Sequence, residues 1–267
     1  MVRRPHLPLV PPRVLRPGLS LLRPSRRTLG AAAAALAVLA LAYLAARETA
    51  LFALERVEVR GAPSDVRAAV LEAADRFVGE SLVAVDGDEL ERTLEALPSV
   101  RSISYDRAFP HTLRLLVRPE RPAAVLRRGR DAWLVSERGR VIRVVERDAL
   151  TAYPRIWLTG VPSPAPGSLV SDTRTALALR AIRALPQGFP ARVRTARVRE
   201  EEGVTFVLVQ GTELLLGEAA ELPVKLAVAA RVLGSLPANE RAALAYLDVT
   251  VPARPVGAEK SQLSGQG

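Results

Sequence analysis

Polar and apolar positions divide the chain into three stretches of different rhythm. From Thr28 to Ala46, nineteen residues (TLGAAAAALAVLALAYLAA) pass without a charge. As a helix rising 1.5 Å per residue they cover about 28 Å, enough to cross a bilayer's hydrocarbon core. Beyond Arg47-Glu48 the rhythm changes. Leu54–Arg60 alternates apolar and charged residues as a half-buried strand does, and Gly61 closes it. Val66, Val70, Ala73 and Phe77 then recur at helical spacing after Pro63-Ser64, up to Gly79. Asp88 with Glu91 reads as a capping-box-like start for a shorter helix carrying Leu90, Leu94 and Leu97, closed by Pro98. Two strands follow, Val100–Tyr105 and the alternating run through Leu113, Leu115 and Val117, joined by a turn at Phe109-Pro110. The order β-α-α-β-β over residues 54–121 predicts a small sheet with two helices on one face.

A second domain is expected over 122–252. Ala123–Leu126, Trp133–Val135 and Val141–Val144 read as a strand meander, with Gly139 supplying the positive φ of a hairpin turn. Ile156–Gly160 is a further strand, followed by a loop with Pro162, Pro164, Pro166 and Gly167. Ser171-Asp172 opens a helix with Ala178, Ile182 and Leu185 on one face, ended by Pro186. Strands are then expected at Arg192–Arg199, Val204–Val209 and Glu213–Leu216. Pro223 suits the first turn of a last helix bearing Leu222, Leu226, Ala229 and Leu233. Tyr246–Val251 reads as the final strand, and 253–267 as a disordered end. The fold class is therefore α+β: one N-terminal transmembrane helix, a β-α-α-β-β domain, and a mixed antiparallel-sheet domain with two helices.

Charge changes this picture only by its location. The 267 residues carry a net charge of +10, which taken alone suggests nucleic acid. Residues 1–27, however, hold seven arginines and no acid, leaving 31 basic against 28 acidic groups in the rest. The folded part is nearly balanced and lacks the clustered cations and stacking aromatics of a nucleic-acid surface. Arginines on one flank only place the N-terminus in the cytoplasm and the bulk of the chain outside. Six prolines among those arginines oppose regular helix, so 1–27 reads as a disordered basic tail. A cleaved signal peptide would have a shorter charged region and a shorter apolar one. Aromatics are only 4% of residues, so the core must be aliphatic.

The stretch LPSVRSISYDRAFPHTLRLLVRPERPAAV, residues 97–125, carries Pro98, Val100, Arg107, Pro110, Thr112, Leu113, Leu115, Val117, Glu120, Arg121 and Pro122. In this spacing, and directly after a membrane anchor, it resembles the FtsQ/DivIB family of bacterial cell division proteins, whose first extracytoplasmic unit is a POTRA domain. Pro119 departs from the family pattern, which has an acid there, as does Ser136, where the family has Asp. Tyr246-Leu247-Asp248-Val249-Thr250 is similar to a family Tyr-x-Asp-x-Arg ending, with Thr250 in the Arg position. The resemblance implies a bitopic scaffold of the divisome at the septum. Its POTRA domain would recruit it through other divisome proteins, and its second domain would bind FtsB/DivIC-like and FtsL-like partners, so regulating septal peptidoglycan synthesis.

The chemical inventory points the same way. Cysteine is absent and only His6 and His111 are present, one in the tail and one in a turn, so no catalytic triad or His-based zinc site can be assembled. Asp86-Gly87-Asp88-Glu89 lacks the pattern of a calcium loop and reads as helix capping. Glu200-Glu201-Glu202 reads as a charged hairpin tip. No catalytic, metal or cofactor residue is expected. The expected contact is strand addition, in which a partner segment completes a sheet edge left by the final strand. Tyr246, Asp248, Thr250, Arg254 and Val256 are the candidate partner-binding residues, and Pro252 and Pro255 count against that edge because each lacks a donor. Two competing classes are a POTRA-containing translocation or envelope-assembly component and a membrane-anchored cell-wall enzyme. The first would need several POTRA units or a β-barrel.

Overall fold

A computed structural model describes residues 26–48, 50–146 and 150–263. The expected tail over 1–25 and the last four residues lie outside this description. The apolar stretch forms helix α1 (Arg26–Glu48), which starts two residues earlier than its uncharged run. Residues 26–45 are long and apolar enough to span a membrane, and no part of this span is buried among the described residues.

The first globular unit contains β1 (Arg56–Arg60), α2 (Ser64–Ala74), α3 (Gly87–Glu95), β2 (Val100–Ala108) and β3 (Thr112–Pro119). The sheet order is β1-β3-β2, with β1 parallel to β3 and β2 antiparallel to it. The helices cover one face. Val66, Val70, Leu90 and Leu94 meet Leu113, Leu115 and Val117 in one cluster, each 8% exposed or less. Burial of this kind stabilises by roughly 1.5–3 kcal/mol per large aliphatic side chain.

One expectation needs correction. The cap of α3 is Asp86 and not Asp88: Asp86 Oδ1 accepts from the N–H groups of Asp88 (2.9 Å) and Glu89 (3.4 Å). Two aspartates two residues apart offer alternative caps, and the one just before the first helical residue takes the role.

Only Glu120 and Arg121 separate β3 from β4 (Pro122–Arg128), so the two units are joined closely. Pro119 belongs to β3, opposite Val100. The Arg140 guanidinium donates to the carbonyls of Glu95 and Ala96, both at 3.2 Å, where α3 leaves them unpaired. Glu137 N–H donates to the Arg121 carbonyl at 2.9 Å.

The second unit is one nine-stranded mixed sheet. Besides β4 it contains β5 (Asp131–Ser136), β6 (Val141–Val144), β7 (Arg155–Trp157), β8 (Val193–Arg199), β9 (Gly203–Leu208), β10 (Glu213–Gly217), β11 (Leu244–Asp248) and β12 (Val256–Glu259), in the order β12-β11-β10-β9-β8-β7-β4-β5-β6. Gly139 has the expected positive φ, 83°. Two long helices, α4 (Thr173–Arg183) and α5 (Leu222–Ser235), pack on one face through Ala178, Ile182, Leu226 and Leu233 against Phe206, Leu214, Leu216 and Leu247. Two short helices, α6 (Ala238–Ala243) and α7 (Lys260–Leu263), lie beyond the expected pair.

Asp172 caps α4, accepting from Thr175 N–H (2.8 Å) and Thr175 Oγ1 (2.6 Å). Burial pushes its carboxyl up, but the hydrogen bonds from Thr175 and Arg174 and the Arg174 charge outweigh that, leaving it below the ordinary 3.8.

A strand-end platform and its relatives

Strand β11 is not the sheet's edge. It pairs with β10 in parallel, Glu213 opposite Tyr246 and Leu215 opposite Asp248, and with β12 in antiparallel, Tyr246 opposite Ala258 and Asp248 opposite Val256. The expected strand to Val251 stops at Asp248, and the expected disordered end contains a strand instead. The turn explains the stop: Asp248 Oδ1 accepts from Thr250 N–H at 2.8 Å, a local bond that competes with the ladder. Val249, fully buried, donates its N–H to Leu215 at 3.0 Å.

The five candidate residues thus fall in two places. Tyr246, Asp248 and Val256 share one face, because residues directly opposite in neighbouring strands point the same way. That face is opposite the helices, since the intervening Leu247 is in the α4/α5 core. Thr250 and Arg254 lie in the β11–β12 connection. Thr250 packs on Gly217, whose φ is 64° and where an added Cβ would lie 2.8 Å from Thr250 Cγ2, so only glycine fits. Arg254 is exposed. Pro252 and Pro255 precede β12 in the connection and remove no donor from its ladder, so the objection they raised does not apply.

Two features were not legible in the sequence. One is β12 itself, which forms the terminal strand. The other is Lys260, whose Nζ donates to the carbonyls of Ala242 (2.8 Å) and Gln210 (3.1 Å), tying the end of β12 to α6 and the β9–β10 hairpin. Buried Lys225 fixes the neighbouring strand end, donating to Leu216 (2.8 Å) and Glu218 (2.9 Å).

Of the residues weighed for chemistry, His6 lies outside the described residues, and His111, Glu200 and Glu202 have structural partners. His111 Nδ1 lies 3.0 Å from the Ala53 carbonyl. Glu200 and Glu202, in the β8–β9 turn, pair with Arg174 and Arg199. Among the described residues, no group of three or more His, Cys, Asp or Glu could hold a metal ion.

Comparison with known proteins fits this architecture. Residues 52–118 match the family described as POTRA domain, FtsQ-type. Residues 124–250 match that described as Cell division protein FtsQ/DivIB, C-terminal. The chain belongs to the FtsQ/DivIB family. Its relatives include the cell division protein FtsQ of Streptomyces bingchenggensis, 27% identical over 203 residues, 76% of this chain and 74% of the relative. That of Anaeromyxobacter sp. is 35% identical over 178 residues, 64% of this chain and 58% of the relative. That of Myxococcus fulvus is 29% identical over 204 residues, covering 74% and 70%. With helix α1, this makes the chain a single-pass membrane protein of cell division. The FtsQ/DivIB C-terminal match ends at residue 250, so β12 lies just past it.

Proposed function

We propose that this chain is a bitopic divisome scaffold that works by binding rather than by catalysis. Its N-terminus lies in the cytoplasm and its two globular units lie outside, at the septum, as the one-sided arginine flank favours. The second unit binds FtsB/DivIC-like and FtsL-like bitopic proteins and so regulates septal peptidoglycan synthesis, while the POTRA unit engages other divisome proteins.

The observation that carries this reading is the terminal position of β12 on a nine-stranded sheet. A partner segment laid antiparallel or parallel along it gains main-chain hydrogen bonds. Its side chains would then lie beside the row Val256, Asp248, Leu215 and the row Ala258, Tyr246, Glu213. Arg254, exposed in the connection just before β12, would meet an acidic group on the partner.

Depletion of the protein, complemented by a fluorescent fusion, tests the division role. Midcell bands with filamentation on depletion are expected. A uniform envelope signal with normal septation would reject the role.

A further inference from the structure

The end of the POTRA unit nearest α1 carries apolar surface that its own core does not use. Leu51 is 70% exposed and Phe109 55%. The rings of Phe52 and Phe109 meet edge to face with centroids 5.6 Å apart, although Phe109 belongs to the β2–β3 turn, far along the chain. Main-chain bonds hold the two segments together. The His111 carbonyl accepts from the N–H groups of Glu55 (3.0 Å) and Arg56 (3.1 Å), and Phe52 accepts from Leu82 N–H (2.7 Å). Leu54 accepts from Gly79 (2.9 Å) and donates to Glu80 (2.8 Å). The apolar tip is therefore built into the domain and does not depend on a loose loop.

Chain connectivity decides what this tip faces. Helix α1 ends at Glu48, and Phe52 follows four residues later. Even fully extended, that segment spans at most about 14 Å. A 23-residue helix is about 34 Å long against a hydrocarbon core of about 30 Å, so Glu48 is already at the level of the headgroups. Phe109, in contact with Phe52, cannot be far from the same layer. Apolar and aromatic side chains at that depth gain by leaving water for the interface.

We propose that Leu51, Phe52 and Phe109 seat in the lipid headgroup layer of the bilayer that α1 crosses. The POTRA unit then stands on the membrane at two points, its covalent tether and the Phe109 turn. A single tether leaves a domain free to swing; a second contact fixes its tilt and so the direction in which the β12 edge is presented. This rests on the membrane-crossing reading of α1. The neighbouring charges, Glu55 and Glu80 against Arg56, are mixed, so seating depends on apolar contact and does not require anionic lipid.

The chain contains no cysteine, so single labels are clean. An environment-sensitive fluorophore is placed at Glu80→Cys, beside the tip, or at Glu201→Cys, in the second unit. The full chain is reconstituted in nanodiscs of zwitterionic lipid containing some headgroup-nitroxide lipid. The label at 80 should be quenched several-fold more than that at 201. Adding Leu51→Asp and Phe109→Asp should cut the quenching at 80 by at least half, with the circular dichroism unchanged, whereas Phe109→Leu should preserve it. Phe109→Ser alone, at a side chain already more than half exposed, supplies the comparison if the double variant fails to fold. Quenching at 80 that ignores these changes would mean the tether alone sets the height, and would overturn the proposal. Resistance to alkaline carbonate extraction tests α1 separately: loss of that resistance would remove the membrane reading itself.

Discussion

The two ends of the nine-stranded sheet are both four-residue strands, yet they are finished differently. At β6 the chain covers the first half of its own edge: Val141 N–H donates to Ser168, Gly167 N–H to Val141 and Val170 N–H to Gly139, all at 2.7–2.9 Å, while Arg143 and Val144 stay exposed. Both faces are filled at Val141 and Ile142, since Val125, Leu134 and Ile142 form a cluster on the side away from α4 and α5. At β12, no strand lies on the outer side among the described residues, and the face bearing Tyr246 and Asp248 is only half-buried. Natural sheets protect or shorten their edges to avoid unwanted pairing. On the function proposed above, the open end is the one that receives a partner.

The largest effect should come from removing the open edge. Deleting residues 256–267 should weaken binding of an FtsB/DivIC-like partner by on the order of 100-fold, the loss of a few hydrogen bonds of about 1 kcal/mol each. Binding measured by calorimetry with the wild-type affinity would break the comparison. Next, proline placed in turn at Val256, Gly257 and Ala258 should split into two groups. Where the N–H points outward, binding should fall about tenfold with little change in thermal midpoint, since one ladder donor is lost to the partner. Where it points to β11, stability should fall first.

At the covered end the pattern should reverse. Arg140→Ala removes both hydrogen bonds to the end of α3 and should cost about 1–3 kcal/mol in denaturant unfolding without changing partner affinity.

The smallest effect is expected between the two ends. Asp172→Ala should cost about 1 kcal/mol through loss of the α4 cap and alter neither edge. Because the folded carboxyl lies below its ordinary 3.8, its contribution is present above that value and lost as pH falls through the lower folded value. In wild type, stability should fall with pH in that acid range, and Asp172→Asn should flatten part of the slope.

The POTRA unit was legible in sequence because its signals are local. Alternation marks β1 and β3, i, i+4 spacing marks α2, and proline and glycine mark the breaks. The position of the α3 cap is ambiguous in sequence because Asp86 and Asp88, two residues apart, compete for it. The platform was only partly legible. Tyr246, Asp248 and Val256 share a face, but only across two ladders whose pairing partners are distant in sequence. VGAE, residues 256–259, is too short and too rich in small residues to show alternation, so β12 emerged only from its pairing with β11. Likewise nothing local reveals that β10 and β11 run parallel, because α5 and α6 lie between them.

Hydrogen exchange on the full chain, with and without an FtsB/DivIC-like partner, reads both edges at once. Binding should slow exchange at Val256–Glu259, with a smaller slowing at Leu244–Asp248, and leave Val141–Val144 unchanged. Slowing confined to β6 or to the POTRA unit, with 256–259 exchanging as before, would contradict β12 as the docking edge.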